Sequence, residues 1–204
     1  MPQVLTFPEP VSSLVVRIRG LEQFSDDEYW SFCGANRDLR IERSPDGEIV
    51  ILPLNGGESA YRTTEVAGEL FSWARRDGRG KAFGPSVQYF LPDGSGRSPD
   101  TSWVSNESIE HLTKQQRRKF LRLTPEFVIE VLSPTDRLKQ AKEKMELWIA
   151  NGVELGWLID GDAETVYVYR KGRPAKTRRH LQELAGEGPV AGLVLKLAPI
   201  WRGL

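Results

Sequence analysis

Apolar residues change their spacing from one segment of the chain to the next, and each change marks an element. Val66, Ala67, Leu70, Phe71 and Ala74 recur at the three-and-four spacing of a helix with one buried face. That pattern predicts a helix over 59–77, entered after the break at Asn55-Gly56-Gly57 and closed by Gly78. Leu138, Ala141, Met145, Trp148 and Ile149 predict a second helix over 136–150. Ser25-Asp26-Asp27-Glu28 has the form of a capping box, in which serine caps a later amide and glutamate reaches back. It opens a helix over 26–35 that carries Tyr29, Trp30, Phe32 and Cys33. Thr113 and Gln116 repeat the arrangement ahead of a short basic helix.

Shorter segments read as strands. Residues 1–24 form an irregular or extended lead-in, with a short strand around Val15, Val16 and Ile18. Leu39–Ile41 and Glu48–Pro53 flank the turn Ser44-Pro45-Asp46-Gly47 and predict a hairpin. A strand over 86–91 places Val87, Tyr89 and Leu91 on one face, and Asp100–Val104 forms another after the turn at Pro92-Asp93-Gly94. Phe127–Leu132 is the most apolar run, and its β-branched content predicts a central strand buried on both faces. Leu155–Asp160 and Glu164–Arg170 form a hairpin about Gly161, and a strand near Leu193–Leu197 finishes the sheet. The order of elements predicts one α/β (α+β) domain over 1–204, a single mixed sheet flanked by helices. Within it, 1–54 is an N-terminal helix-and-hairpin extension, 55–170 the core and 171–204 a C-terminal extension.

Composition narrows the chemistry. With 204 residues, the chain can bury a sizeable core without disulfides or metal staples. One cysteine and two histidines exclude a disulfide framework and a Cys/His zinc site. The apolar and charged content is that of a globular protein; no run is long enough to span a membrane, and MPQVLTFPEP lacks the regions of a secretory leader. A cytoplasmic protein is therefore expected. Lys+Arg and Asp+Glu are both 28, so net charge does not advertise a polyanionic partner. The charge is uneven, however: Lys114–Arg122 and Arg170–Arg179 contain no acid. Each basic run reads either as a solvated face or loop, or as a phosphate-facing patch.

Glu130 is the residue that demands an account. A carboxylate in the middle of a buried strand costs several kcal/mol if ionised and unpaired, roughly 2 or more even with partial compensation. Asp100 begins a strand that should lie nearby, and two carboxylates together supply the oxygen ligands Mg²⁺ or Mn²⁺ prefers. Taken singly, each has an ordinary reading, Glu130 as a strand-end glutamate or an arginine partner and Asp100 as a turn residue after Pro99.

Ser98-Pro99-Asp100 and Glu130-Val131-Leu132 resemble the two halves of the motif of the PD-(D/E)XK nuclease superfamily. More specifically, the segment from Gly56 to Tyr169 resembles a bacterial family of small restriction-endonuclease-like proteins. The features that carry the resemblance are Gly56-Gly57-Glu58, Leu70 with Trp73-Ala74, Arg97–Asp100, Phe127–Pro134, Lys144-Met145, Asn151-Gly152-Val153 and Gly156–Asp160. The resemblance implies a restriction-endonuclease-like core and a metal-dependent endonuclease acting on DNA. Asp100 and Glu130 would hold Mg²⁺ or Mn²⁺. The superfamily's lysine, two residues beyond the acid, is replaced here by Leu132, and the resemblance implies that Lys144 on the following helix takes its place. Helical geometry alone leaves Lys142 and Lys144 equivalent, on opposite flanks of the apolar stripe.

Glu58 and Glu65 are candidate accessory ligands, or acids that complement a helix N-terminus or lie in solvent. Arg178 and Arg179 are candidate nucleic-acid contacts. A homodimer through an edge of the 155–170 hairpin or through the N-terminal extension is a further expectation. The alternative function is a non-catalytic nucleic-acid-binding or protein-interaction module on the same fold.

Overall fold

Strand Phe127–Val131 is buried along its whole length, and the other elements are arranged about it. The computed structural model describes residues 14–16, 24–134 and 136–204. The expectations for Ile18 and for the absence of a leader fall outside those residues. In chain order the elements are β1 Leu14–Val16, α1 Asp26–Ala35, β2 Arg40–Arg43, β3 Ile49–Leu52, α2 Gly57–Asp77, β4 Gly80–Phe83, β5 Tyr89–Phe90, β6 Gly96–Arg97 and β7 Thr101–Ser105. They continue as α3 Asn106–Glu110, β8 Phe127–Val131, α4 Leu138–Ala150, β9 Leu155–Asp160, β10 Thr165–Arg170, β11 Arg173–Arg179, β12 Glu183–Ala185, β13 Val194–Lys196 and α5 Ala198–Arg202.

The main sheet runs β11-β10-β9-β8-β7-β4. In it β8 is parallel to β9 and antiparallel to β7, so the sheet is mixed and β8 is internal, as its apolar run predicts. Side chains alternate along β8. Phe127, Ile129 and Val131 face α2, packing with Val66, Leu70 and Trp73. Val128 faces α4 and packs with Met145 and Trp148. Helix α4 sits close: a Cβ on Gly156 of β9 would lie 2.4 Å from Met145 Cε, so a larger residue there would push the end of the Met145 side chain aside. Both bonds of the Ser25–Glu28 capping box form, and α2 ends at Gly78 with φ of +76°.

A second sheet, β1-β3-β2-β6-β5, contains the expected hairpin of β2 and β3. It also recruits β5 and β6 from the middle of the chain, with Arg43 paired to Gly96. This places β2, from the first fifty residues, against the segment that leads into Asp100.

Several elements differ from expectation. The strand expected over 86–91 shrinks to Tyr89–Phe90 and belongs to the second sheet. The C-terminal strand does not finish the main sheet; β13 pairs with β12 in a separate two-stranded sheet. The run at 170–179 is neither helix nor loop: β11 is the exposed edge strand of the main sheet. It pairs with β10, so both strands of the 155–170 hairpin have both edges occupied and neither offers a free edge to a second copy. The Thr113–Gln116 bonds form, but over a three-residue 3-10 turn, Gln116–Arg118. No described helix is long and apolar enough to cross a membrane.

Candidate active site

Period-two alternation turns Glu130 to the α4 side of β8, where it is 8% exposed. Its Oε1 accepts from Trp148 Nε1 at 2.9 Å and lies 2.8 Å from Lys144 Nζ. Lys144 and Trp148 are four residues apart, hence on one face of α4, and the buried Met145 and Trp148 seat that face on the sheet. Asp100 enters from the neighbouring strand. Thr101 stands opposite Ile129, so the register brings Asp100 alongside Glu130, and Asp100 Oδ2 accepts from Val131 N at 2.8 Å. The expectation that Lys144 reaches the carboxylates agrees with this geometry. Lys142 instead covers the Tyr167 ring, 4.2 Å from its centroid.

A third carboxylate, absent from the sequence reading, completes the group. Glu42 of β2 is 2% exposed. Its Oε2 pairs with Arg97 Nη1 at 2.9 Å, and its Oε1 accepts from Ser98 N at 3.0 Å and lies 3.6 Å from Lys144 Nζ. Lys144 also donates to Ser98 O at 3.2 Å. The ammonium is thus suspended between Glu130 on one sheet and Glu42 on the other. The only sequence signal for Glu42 is an acid in a short strand beside Ile41; its burial follows from pairing with an arginine far along the chain.

Three carboxylates sharing one lysine explain the electrostatics. Burial pushes Glu130 up to about 7, Lys144 opposes that, and the charge of Asp100 adds to it. Burial likewise raises Asp100, opposed by Lys144 and by the Val131 amide. Burial alone would also raise Glu42, but Lys144 and Arg97 outweigh it and hold this acid below the usual carboxylate range. Burial disfavours the Lys144 charge, yet Glu130, Glu42 and Asp100 together hold it above the ordinary lysine range, so it stays an ammonium.

The group opens into a cleft of about 390 Å³ whose walls include Arg40, Leu52, Asp136 and Leu147. Glu58 and Glu65 do not line it. Glu58 is committed to Arg62 at 3.0 Å and to the Leu204 amide at 3.2 Å, while Glu65 lies partly exposed on α2. Arg178 and Arg179 are exposed at the end of β11, three strands from β8.

Among the described residues there is no group of three or more His, Cys, Asp and Glu placed to hold a metal. A smaller set is available. Asp100 Oδ1 and Glu130 Oε2 carry no hydrogen bond among the described residues, because the bonds above engage the other oxygen of each. Two hard oxygens on neighbouring strands, both strained by burial and mutual repulsion, fit a divalent cation that keeps most of its waters.

Comparison with known proteins bears on the family and the fold. The model of the family Uma2, described as "Putative restriction endonuclease", matches residues 26–198. A solved structure described as "a putative nuclease belonging to DUF820 from Anabaena variabilis ATCC 29413" superposes with a TM-score of 0.69. It is 21% identical, and the match covers 88% of this chain and 98% of that one, which establishes a shared fold. No curated protein matches.

Proposed function

The chain belongs to the Uma2 family, and from that premise we propose that it is a divalent-metal-dependent endonuclease that hydrolyses phosphodiester bonds in DNA. The observation that carries the reading is the meeting of Lys144 with Glu130 at 2.8 Å, next to Asp100. That contact supports reading Lys144 as the substitute for the lysine missing from position 132.

Asp100 and Glu130 would hold Mg²⁺ or Mn²⁺ through the oxygens left free of hydrogen bonds. Bound there, the ion would polarise the scissile phosphate and lower the pKa of a water molecule. Trp148 and the Val131 amide fix the two carboxylates so that neither must reorganise. Lys144, kept charged by its acids, donates to a phosphoryl oxygen or orients the attacking water. Glu42 and Ser98 O hold the ammonium in place while Glu130 exchanges partners. Arg178 and Arg179, exposed at the sheet edge, would contact phosphates away from the cut.

The test is incubation of supercoiled plasmid and single-stranded DNA with the full chain in Mn²⁺ or Mg²⁺. Cleavage that disappears in EDTA and in Asp100→Asn is expected. Absence of cleavage on both substrates, with either metal, would overturn the reading in favour of a non-catalytic binding module.

A further inference from the structure

Arg40 opens β2 and stands across the hairpin from Leu52. It lines the cleft of the acidic group and also a second cavity of about 380 Å³. Arg40, Glu42 and Leu52 are shared by the two linings, so they form the partition between the cavities.

The cations around this partition differ in what holds them. Lys144 is held by Glu130 and Glu42, Arg97 by Glu42, and the neighbouring Arg43 by Asp26. Arg137, the remaining cation of the cleft, is exposed on the rim at the start of α4. Arg40 is half-buried, and among the described residues its guanidinium makes no hydrogen bond or ion pair. The nearby acids are engaged elsewhere: Glu143 faces Lys139, and Asp136 accepts from Ser133 N. Arg40 still feels the cleft, since its positive field opposes the effect of burial on Asp100. A half-buried guanidinium has lost part of its hydration and regains little here, so the site favours an incoming anion.

We propose that Arg40 is a substrate-contacting residue whose guanidinium grips the two non-bridging oxygens of one phosphodiester of the strand bound in the cleft. This rests on the nuclease reading for the identity of the anion. A planar fork of donors suits two oxygens of one phosphate better than an ammonium does.

The test uses the full chain in EDTA, where cleavage cannot occur. Binding of a fluorescent oligothymidylate is followed by anisotropy over a range of salt, with melting curves to confirm the fold. Arg40→Ala should weaken binding about tenfold and lower the slope of log K against log salt by about 0.7, the loss of one phosphate contact on a single strand. Arg40→Lys should restore the slope and only part of the affinity. Arg75→Ala, an exposed arginine on α2, should match the unsubstituted protein. If the alanine variant melts early, Arg40→Gln takes its place. Unchanged affinity and slope on losing Arg40, or no binding by the unsubstituted chain, overturns the proposal. Binding that depends on Arg40 without any cleavage in Mn²⁺ keeps the phosphate site and removes the nuclease reading. Cleavage and binding that are both indifferent to Arg40 do the reverse.

Discussion

The Lys144 ammonium and the Glu130 carboxylate meet at 2.8 Å, although one comes from helix α4 and the other from the strand beneath it. A lysine two residues beyond the acid would share its strand face; here Leu132 holds that position and the helix supplies the charge. Lys144→Met keeps the stem and removes the ammonium. Cleavage should fall by at least about 10²-fold, the usual loss for one preorganised donor, while far-UV circular dichroism is unchanged. Lys142→Ala gives up a contact with the Tyr167 ring worth about 0.5–1 kcal/mol and should leave cleavage intact. Equal effects of the two substitutions would remove Lys144 from the mechanism.

Glu42 anchors Lys144 from the opposite sheet, so its loss should be felt twice. Glu42→Ala leaves the buried Arg97 without its acid partner and Lys144 with Glu130 alone, and should cost on the order of 3 kcal/mol in urea unfolding. Glu42→Gln keeps acceptor capacity toward Ser98 N and should cost less. In the glutamine variant the turnover rate should drop with little change in KM, because the lysine is displaced and not the substrate. A pure KM effect would point to a role in binding.

Stability without metal should depend on pH in an unusual direction. Glu130 titrates at about 7 in the fold against an ordinary value of 4.5. As pH rises between these values the unfolded chain releases its proton first, so the folded state loses ground. Asp100 is also raised and acts with the same sign. The contribution is therefore fully present below about pH 4.5 and lost as pH passes through about 7. Melting temperature in EDTA should decline between about pH 5 and pH 8, and Glu130→Gln should flatten the decline. Protons also compete with the cation, so the gain in melting temperature from Mn²⁺ should grow over the same interval. A flat profile in EDTA would mean that both acids are ionised throughout.

The edge arginines can be separated from the cleft by salt. If Arg178 and Arg179 each touch a phosphate, changing both to alanine should reduce the salt slope for duplex binding by about two, with the melting temperature unchanged. An unaltered slope would leave that end of β11 as a solvated surface.

Which features could be read from the chain follows from where their causes lie. The Ser25–Glu28 cap, the Gly78 stop and the helix seated by Met145 and Trp148 depend on residues within a turn or two of each other. The central strand is declared by an unbroken apolar run, and Glu130 stands out because it interrupts that run. Strand β4, Gly80–Phe83, has too few apolar residues to announce itself, and α5 has only five residues. Strand β11 buries no side chain, so no alternation distinguishes it from a loop. Glu42 is hidden for a different reason. Its partners Arg97 and Ser98 lie more than fifty residues away, and only the pairing of β2 with β6 brings them together. Lys144 lies between these cases: its helix is legible, but choosing it over Lys142 required the family likeness.

The exposed edge strand bears on how copies of this protein meet. An unpaired ladder edge is a template on which another chain can add a strand. Along β11 the side chains at Arg173, Lys176, Arg178 and Arg179 carry one sign, with no acid among them. Two such edges approaching within a Debye length, about 10 Å at 0.1 M salt, repel before their backbone amides can align. A neutral molecule, which lacks the long-range repulsion that keeps charged proteins dispersed, thereby places a local barrier at one border of its main sheet.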